Sequence, residues 1–580
     1  MSKIVFEARE QLRSLIEKSV AELVADGTIG DAELREYKVE VPADHSNGDF
    51  SANVAMVNAK VFAMPPRTAA EKIVEKMNLD GTYFSKVEVA GPGFMNFFLA
   101  DKYYADVLVD IYESGDKYGR SNYGEGKKIL VEFVSANPTG PMHMGNARGG
   151  ALGDCLAAVL DWAGYYVERE FYINDAGNQI EKFALSLDIR YQQHFKGEDA
   201  IELPEDSYHG NDIVELAALF ADEYGDKYLS EPEEVRRDAL VKFALPRNIS
   251  NMKAAMEKYR IDYDTWFHES TLHESGEVKE TIDELTKRGY TYEKDGALWY
   301  KNIEVQTAML RAAGKSDADI EKLDLKDDVL IRTNGNPTYF AVDIAYHRNK
   351  IMRGFNTLIN IWGADHHGHV ARMKGALEAL GLGGDNLDVI LMQLVRLMHG
   401  DEVAKMSKRT GNAITLTDLL DDIPIDAVRF LFNMREAGSQ MDFDLDLAVE
   451  QSSQNPVYYC QYAHARICSI LRKLEEENIP VSAASADVLT RLVEPEEREL
   501  IRHLAALTDE IIYAAKAYDP ARITRYLMEL ATLFHKFYNA CRVNVEDEEL
   551  RNARIHLCLC TKNVLANVLN MMSITVPEKM

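Results

Sequence analysis

The stretch from Lys127 to Tyr172 constrains the fold more than any other part of the chain. Lys127 to Val134 has an apolar core of Ile129, Leu130, Val131, Phe133 and Val134, which suits a parallel strand buried on both faces. A loop rich in Asn, Pro and Gly follows, from Ser135 to Asn146. Ala147 to Ala163 reads as a helix stopped by Gly164 in a C-cap position, and Tyr165 to Tyr172 as a second strand. Strand, loop, helix and strand make a βαβ unit, the start of a nucleotide-binding sheet. The α/β pattern returns at Thr357 to Trp362 and at Val389 to Leu397.

The flanking regions read differently. Phe6 to Leu23 shows helical periodicity, a second helix is expected over Thr68 to Met77, and Lys86 to Ala90 and Phe94 to Leu99 read as strands around the turn Gly91-Pro92-Gly93. Asn174 to about Asp328 is polar and helical without sheet rhythm, and from Asp426 the pattern is helical almost to the end. The expected fold class is α/β: a Rossmann-like domain over 116–423 with an insertion at about 174–328, an N-terminal α+β module over 1–115, and a C-terminal all-α helical bundle over 424–580.

Length and charge narrow the function classes. A chain of 580 residues exceeds what one hydrophobic core serves. A formal net charge of -29 argues against sequence-blind binding to nucleic acid, while a specific RNA partner stays open if basic residues gather on one face. The six cysteines include no C-x-x-C pair, and Cys558 and Cys560 have a poor zinc spacing, so reduced buried thiols are expected. Met1 to Ser14 lacks the apolar region of a signal peptide. No apolar run reaches the roughly 20 residues that span a bilayer. A cytoplasmic monomer with no membrane partner is expected.

The chemistry concentrates in short motifs. Pro141-Met142-His143-Met144-Gly145-Asn146 falls at the strand-to-helix turn, where a helix N-terminus offers N–H groups and partial positive charge to phosphate. Gly145 lets a base or phosphate approach the backbone, and His143 can donate to a phosphate oxygen. Read alone, this is equally a loop histidine beside a routine helix start. Lys405-Met406-Ser407-Lys408-Arg409 can clamp a polyphosphate as pyrophosphate leaves, although such a run by itself is more often a solvated loop. In Gly363-Ala364-Asp365-His366-His367-Gly368-His369, the clustered histidines leave a metal site open as an alternative. Tyr339 and Asp343 share a helix face, with Tyr346 and His347 nearby. If Asp343 and Glu132 converge, two carboxylates and a phenol match a guanidinium, where lysine would satisfy the charge but not the fork. From spacing alone, aromatic packing and surface charge explain these residues as well.

The first motif and the cationic run, in this order and with a long insertion between them, resemble the HIGH and KMSKS signatures of class I aminoacyl-tRNA synthetases. Gly363 to His369 fits that class's G-x-D-x-x-x-H pattern. The whole chain is similar to the arginyl-tRNA synthetase family. The likeness rests on Val131 to Gly150 (VEFVSANPTGPMHMGNARGG), Tyr172 to Gln179 (YINDAGNQ), Pro337 to His347 (PTYFAVDIAYH), Trp362 to Met373 (WGADHHGHVARM), Asp426 to Arg429 (DAVR) and Asp442 to Arg466. Val89 to Phe94 and Pro577 to Met580 fit as well.

The resemblance implies a class I Rossmann-like catalytic domain and an arginine–tRNA ligase. His143, Lys405 and Lys408 would be catalytic, and with Gly145, Asn146, Gly363 and Asp365 would bind ATP. Glu132, Asn137, Tyr339 and Asp343 would bind arginine, Asn137 at its α-amino or carboxylate end, with His366 turned towards substrate. Asn96 would read a base of the tRNA D-loop with Phe98 on the same strand face, and Tyr462 and Met580 would contact the anticodon. Mg²⁺ would come with ATP, with no metal held by the protein. Two departures stand out: Asn146 occupies the last position of the first signature in place of His, and Arg409 replaces the final Ser of the second. The implied reaction forms arginyl-adenylate by attack of the arginine carboxylate on the α-phosphate of ATP, with tRNA bound, and a ribose hydroxyl of the tRNA then takes the arginyl group. The competing readings are another class I synthetase or nucleotidyltransferase, and a non-catalytic RNA-binding paralogue. The Glu132, Tyr339 and Asp343 set argues against the first, and retention of His143 and the lysines against the second.

Overall fold

A computed structural model describes residues 3–30, 33–42, 44–404 and 414–580. The N-terminal module opens with helix α1 (Lys3–Ala25), which buries Ile4, Ala8, Leu12, Leu15, Ile16 and Leu23 along one stripe. Strands β1 (Phe84–Ala90) and β2 (Phe94–Leu99) pair antiparallel, and β2 also pairs with Phe50–Ala52. The turn between them requires glycine. Gly93 sits at φ +129°, and a Cβ there would stand 2.8 Å from the Pro66 backbone. Helix α2 (Asp101–Ser114) leads out of the module.

The central domain holds a five-stranded parallel sheet. Strand β3 (Lys128–Glu132) is buried along nearly its whole length. After it come helix α3 (Gly145–Trp162) and strand β4 (Tyr166–Ile173), the βαβ unit that the sequence predicts. Gly164, at φ +93°, follows the helix. Close packing of α3 on β3 needs Gly153, where a Cβ would lie 2.1 Å from the Phe133 ring.

The segment expected to be one helical insertion is more varied. Helices α4 (Asn178–Lys196), α5 (Asn211–Tyr224) and α6 (Glu233–Lys258) share a small core of their own around Phe183, Tyr191, Phe220 and Phe243. Strand β5 (Thr265–His268) then returns to the parallel sheet beside β4. A further antiparallel sheet joins Thr291–Lys294, Ala297–Tyr300 and Asp328–Ile331. These strands are four residues long, too short to show a period.

Helix α7 (Tyr339–Met352), strand β6 (Thr357–Gly363), helix α8 (His367–Ala379) and strand β7 (Leu387–Met392) complete the domain. The sheet order is β7-β6-β3-β4-β5. Strand order reverses between β3 and β6, so ligands are expected beyond the carboxyl ends of these two strands. The stretch Val389 to Leu397, where the α/β pattern is expected to return, spans parts of two strands separated by Gln393 and Leu394. Val395–His399 joins a different sheet, parallel to Met441–Asp444. That last strand lies in the region expected to be helical throughout. Arg148 of α3 ties these segments together, donating to the carbonyls of Gln393, Glu436 and Ser439, each at 2.9 Å.

The C-terminal region is otherwise helical, with α9 (Pro456–Glu476), α10 (Ala521–Ala540) and α11 (Glu548–Met571) as its long members. The N-terminal module rests against it. Asn567 donates to the Gly115 carbonyl at 2.9 Å, and Arg502 pairs with Asp49 at 2.5 Å. Arg429 is fully buried, pairs with Asp154 of α3 and donates to the Met572 carbonyl at 2.7 Å. All six cysteines are buried and unbridged. Among the described residues no helix is long and apolar enough to cross a membrane.

Candidate active site

The chain leaves β3 through a strained bend. Val134 has φ +71° and Ser135 φ +44°, a conformation that costs a β-branched residue most. Surrounding bonds hold it. Tyr263 donates to the Phe133 carbonyl at 3.1 Å, and the Tyr172 backbone N–H donates to Ser135 Oγ at 3.2 Å. Ser135 in turn donates to Glu132 Oε1 at 2.8 Å. The bend turns the chain out of the sheet at the point where strand order reverses.

From Glu132 a directional chain of hydrogen bonds runs across the sheet to α7. Lys350 donates to Glu132 Oε2 at 2.5 Å and to Asn360 Oδ1 of β6 at 3.2 Å. Asn360 Nδ2 donates to His347 Nε2 at 2.9 Å, and His347 Nδ1 donates to the Asp343 carbonyl at 2.8 Å. His347 is thereby held neutral. Burial, then the charge of Lys350, keeps its pKa well below the ordinary histidine value.

Helix α7 presents Asp343 on this side. Its N-cap is Thr338, whose Oγ accepts from Ala341 N. Asp343 Oδ2 accepts from His369 Nε2 at 3.0 Å, and Arg372 lies 3.3 Å from His369 Nδ1 and 2.7 Å from Asp328. Tyr339, one turn before Asp343, is 41% exposed. Tyr172 packs against Tyr346 with ring centres 4.4 Å apart and planes tilted by 38°, and it donates to Glu269 at 2.6 Å. Burial and the carboxylates Glu269, Asp343 and Glu132 hold the Tyr172 phenol protonated, and burial likewise pushes the Glu269 carboxyl up. Glu170 is spoken for by Tyr346 at 2.6 Å and Arg353 at 2.6 Å.

At the helix N-terminus, His143 Nδ1 accepts from the Gly145 N–H at 3.1 Å, leaving Nε2 to donate. The chain beyond the second motif is fastened to the first. Met144 N donates to the Ile414 carbonyl at 3.0 Å, Leu416 N donates to the Met142 carbonyl at 2.9 Å, and Thr415 bridges to His143. At the other end, Ala404 N donates to the Leu397 carbonyl at 2.8 Å. Lys405 and Lys408 lie outside the described residues, but both flanks of their segment are placed.

The predicted residues divide into groups. Glu132 and Asp343 both act on the Tyr172 phenol, and the Lys350 chain runs from the Glu132 carboxylate to the Asp343 main-chain carbonyl, with His143, Gly145 and Asn146 at the neighbouring helix start. Gly363 ends β6, and a Cβ on it would meet Asp365 Oδ1 at 2.4 Å. Asp365 and His366 are exposed, and the histidine that pairs with the Asp343 carboxylate is His369. Asn137 is exposed on the loop after the bend. Far from this site, Asn96 is buried and accepts from Ser51 at 2.9 Å, while Phe98 lies under Lys86 at 4.9 Å. Tyr462 stacks on His535 at 5.9 Å and its hydroxyl accepts from Arg466 at 2.9 Å, and Met580 is exposed. The sequence reading missed Lys350, Asn360 and Arg372. Lys350 stands seven residues after Asp343, on the same helix face, and that spacing was the available signal. Among the described residues no group of three or more His, Cys, Asp or Glu side chains is placed to hold a metal.

Known protein families match nearly the whole length of the chain. The family described as tRNA synthetases class I (R), catalytic domain, matches residues 108–467. The arginyl tRNA synthetase N terminal domain matches 10–99, and the DALR anticodon binding domain matches 460–580. The chain is 52% identical to an arginine–tRNA ligase of Ruminiclostridium cellulolyticum over 581 aligned residues, covering 100% of both chains. It is also 52% identical to that of Caldanaerobacter subterraneus subsp. tengcongensis, again over 100% of both. The Thermus thermophilus arginyl-tRNA synthetase has the same fold, with a TM-score of 0.69 at 21% identity, over 98% of this chain and 100% of that one. The chain belongs to the arginyl-tRNA synthetases, the class I ligases that use ATP, accompanied by Mg²⁺, to join arginine to tRNA.

Proposed function

We propose that Glu132, Asn137, Tyr339 and Asp343 form the arginine pocket, with His366 at its margin. The guanidinium lies against Asp343 and the Tyr339 hydroxyl, and Asn137 holds the α-amino or carboxylate end. His143, Gly145, Asn146, Gly363 and Asp365 take ATP, and Lys405 and Lys408 bear on its phosphates. The observation that carries this reading is that the Glu132 and Asp343 carboxylates both act on the Tyr172 phenol, while a hydrogen-bond chain from Glu132 reaches the main-chain carbonyl of Asp343, beside the helix start that carries His143.

In the first step the arginine carboxylate attacks the α-phosphorus of ATP. A P–O bond forms to the carboxylate, the bond to the β-phosphate oxygen breaks, and pyrophosphate leaves with the electron pair. A carboxylate is already a nucleophile, so position and cationic charge supply the catalysis. A ribose hydroxyl of the terminal adenosine of tRNA then attacks the adenylate carbonyl, and AMP leaves. Asn96 and Phe98 in the module at 1–115 face the tRNA D-loop, and Tyr462 and Met580 in the helical domain at 424–580 face the anticodon. The enzyme works in the cytoplasm as a monomer.

ATP–pyrophosphate exchange with arginine, lysine and citrulline, with and without cognate tRNA, tests the reading. Exchange with arginine alone, dependent on tRNA and lost in Asp343→Asn, is expected. Exchange by Asp343→Asn at the native arginine KM would refute the pocket.

A further inference from the structure

Lys350 has no exposed side-chain surface. A lysine is rarely enclosed in this way unless its charge is matched and its protons are placed, and here they are. The ammonium group donates to Glu132 at 2.5 Å and to Asn360 at 3.2 Å, and it lies 4.2 Å from the centre of the Tyr346 ring. Two acceptors and one aromatic face use its three protons.

The carboxylates around Tyr172 differ in what they have left to offer. Glu132 is 8% exposed and satisfied by Lys350 and Ser135. Glu170 has no exposure and pairs with Arg353. Glu269, 4% exposed, accepts from Tyr172 and lies 3.5 Å from His273. Asp343 is 35% exposed, and its partner His369 donates a hydrogen bond.

We propose that Lys350 is a specificity-determining positioning residue, which neutralises Glu132 and leaves Asp343 as the one of these four carboxylates open to an incoming cation. This rests on the arginine-pocket reading above and refines it. The pocket then offers a single negative charge to a single guanidinium, and Glu132 contributes an acceptor oxygen rather than its charge. Removing the ammonium would leave a second carboxylate enclosed without a counter-charge, a state relieved by binding a proton or a stray cation. Either change mis-sets the site for arginine.

Aminoacylation with cognate tRNA and separate arginine and ATP titrations tests this. Lys350→Gln keeps a donor for Glu132 and drops the charge. It is expected to raise the KM for arginine at least about tenfold and to leave the KM for ATP within about twofold. The double variant E132Q/K350Q, neutral for neutral with the acceptor oxygen kept, is expected to recover most of that loss. Lys350→Met should behave as Lys350→Gln does, and if it fails to fold, Lys350→Gln still reads the charge. An arginine KM for Lys350→Gln within about twofold of native would overturn the proposal, as would parallel rises in both KM values with a lowered melting temperature. Asp343→Asn in the same assay separates the two ideas. If it raises the arginine KM while Lys350→Gln does not, only the role of Lys350 falls. If neither variant changes it, the pocket reading falls too.

Discussion

Arg372 donates to Nδ1 of His369 at 3.3 Å, which leaves His369 Nε2 carrying the proton that it gives to Asp343 at 3.0 Å. The arginine residue sets the tautomer of the histidine, and the histidine sets the orientation of the carboxylate. A hydrogen bond to a charged group contributes about 1.5–3 kcal/mol. His369→Phe is therefore expected to raise the arginine KM by about tenfold or more, with His369→Gln closer to native because an amide still donates. Arg372→Met should shift it in the same direction by less. Steady-state aminoacylation over arginine concentration checks all three, and a native KM in His369→Phe would exclude the role.

Stability should depend on pH through buried histidines. His347 is held well below its ordinary value, and His464, His503, His535 and His556 are lowered too, in each case first by burial. The unfolded chain takes up protons at these residues near pH 6.5 while the folded chain resists them, so the unfolded state binds more protons below that pH. Stability is then fully present above about pH 7 and falls as pH drops through about 6.5, by up to about 1.4 kcal/mol per pH unit for each histidine that stays neutral. Urea midpoints between about pH 7.5 and pH 5.5 should show this decline. A flat profile would contradict it.

Gly153→Ala should disturb both stability and ATP use. The new methyl would meet the buried Phe133 side chain at 2.1 Å, so the helix or the ring must shift. Overpacking of this kind costs about 1–3 kcal/mol. Because α3 begins at the motif of His143 and Gly145, its displacement should also raise the KM for ATP. Chemical denaturation and an ATP titration of the same variant test the two effects together.

Arg429→Met should be costly far from substrate. The guanidinium is enclosed between Asp154, the carbonyl of Tyr259 at 2.9 Å and that of Met572 at 2.7 Å. Breaking a buried pair costs about 3–5 kcal/mol. The lower end is expected, since Asp154 keeps Arg169 at 2.9 Å. A denaturant midpoint unchanged from native would show that the pair contributes nothing.

Much of the central domain was legible because local signals agreed with the fold. The apolar run of β3, the helix ended by Gly164 and the following strand all appear in the structure within a few residues of the expected bounds. Strand β5 was hidden because its four residues, Thr265 to His268, are all half-buried and show no alternation. Met441–Asp444 does alternate, but it is short and flanked by helices. Within the site, Asp343 and Tyr339 could be paired from helical spacing. Lys350 could not be matched to Glu132, because 218 positions separate them and only the folded sheet brings them together. The turn of His369 towards Asp343 was equally invisible, since the motif shows the order of four neighbouring polar residues and not the way each faces.

The burial of every cysteine has a practical consequence at the bench. The thiols of Cys155 and Cys558 are pushed up to about 12 and that of Cys541 to about 11, in each case chiefly by burial. Only a thiolate attacks a maleimide at a useful rate. Burial of all six native thiols is therefore expected to slow their labelling in the folded enzyme. A cysteine placed at Leu394, which is 85% exposed just beyond the end of β7, would take a fluorophore selectively, with no need to strip out the cysteines already there.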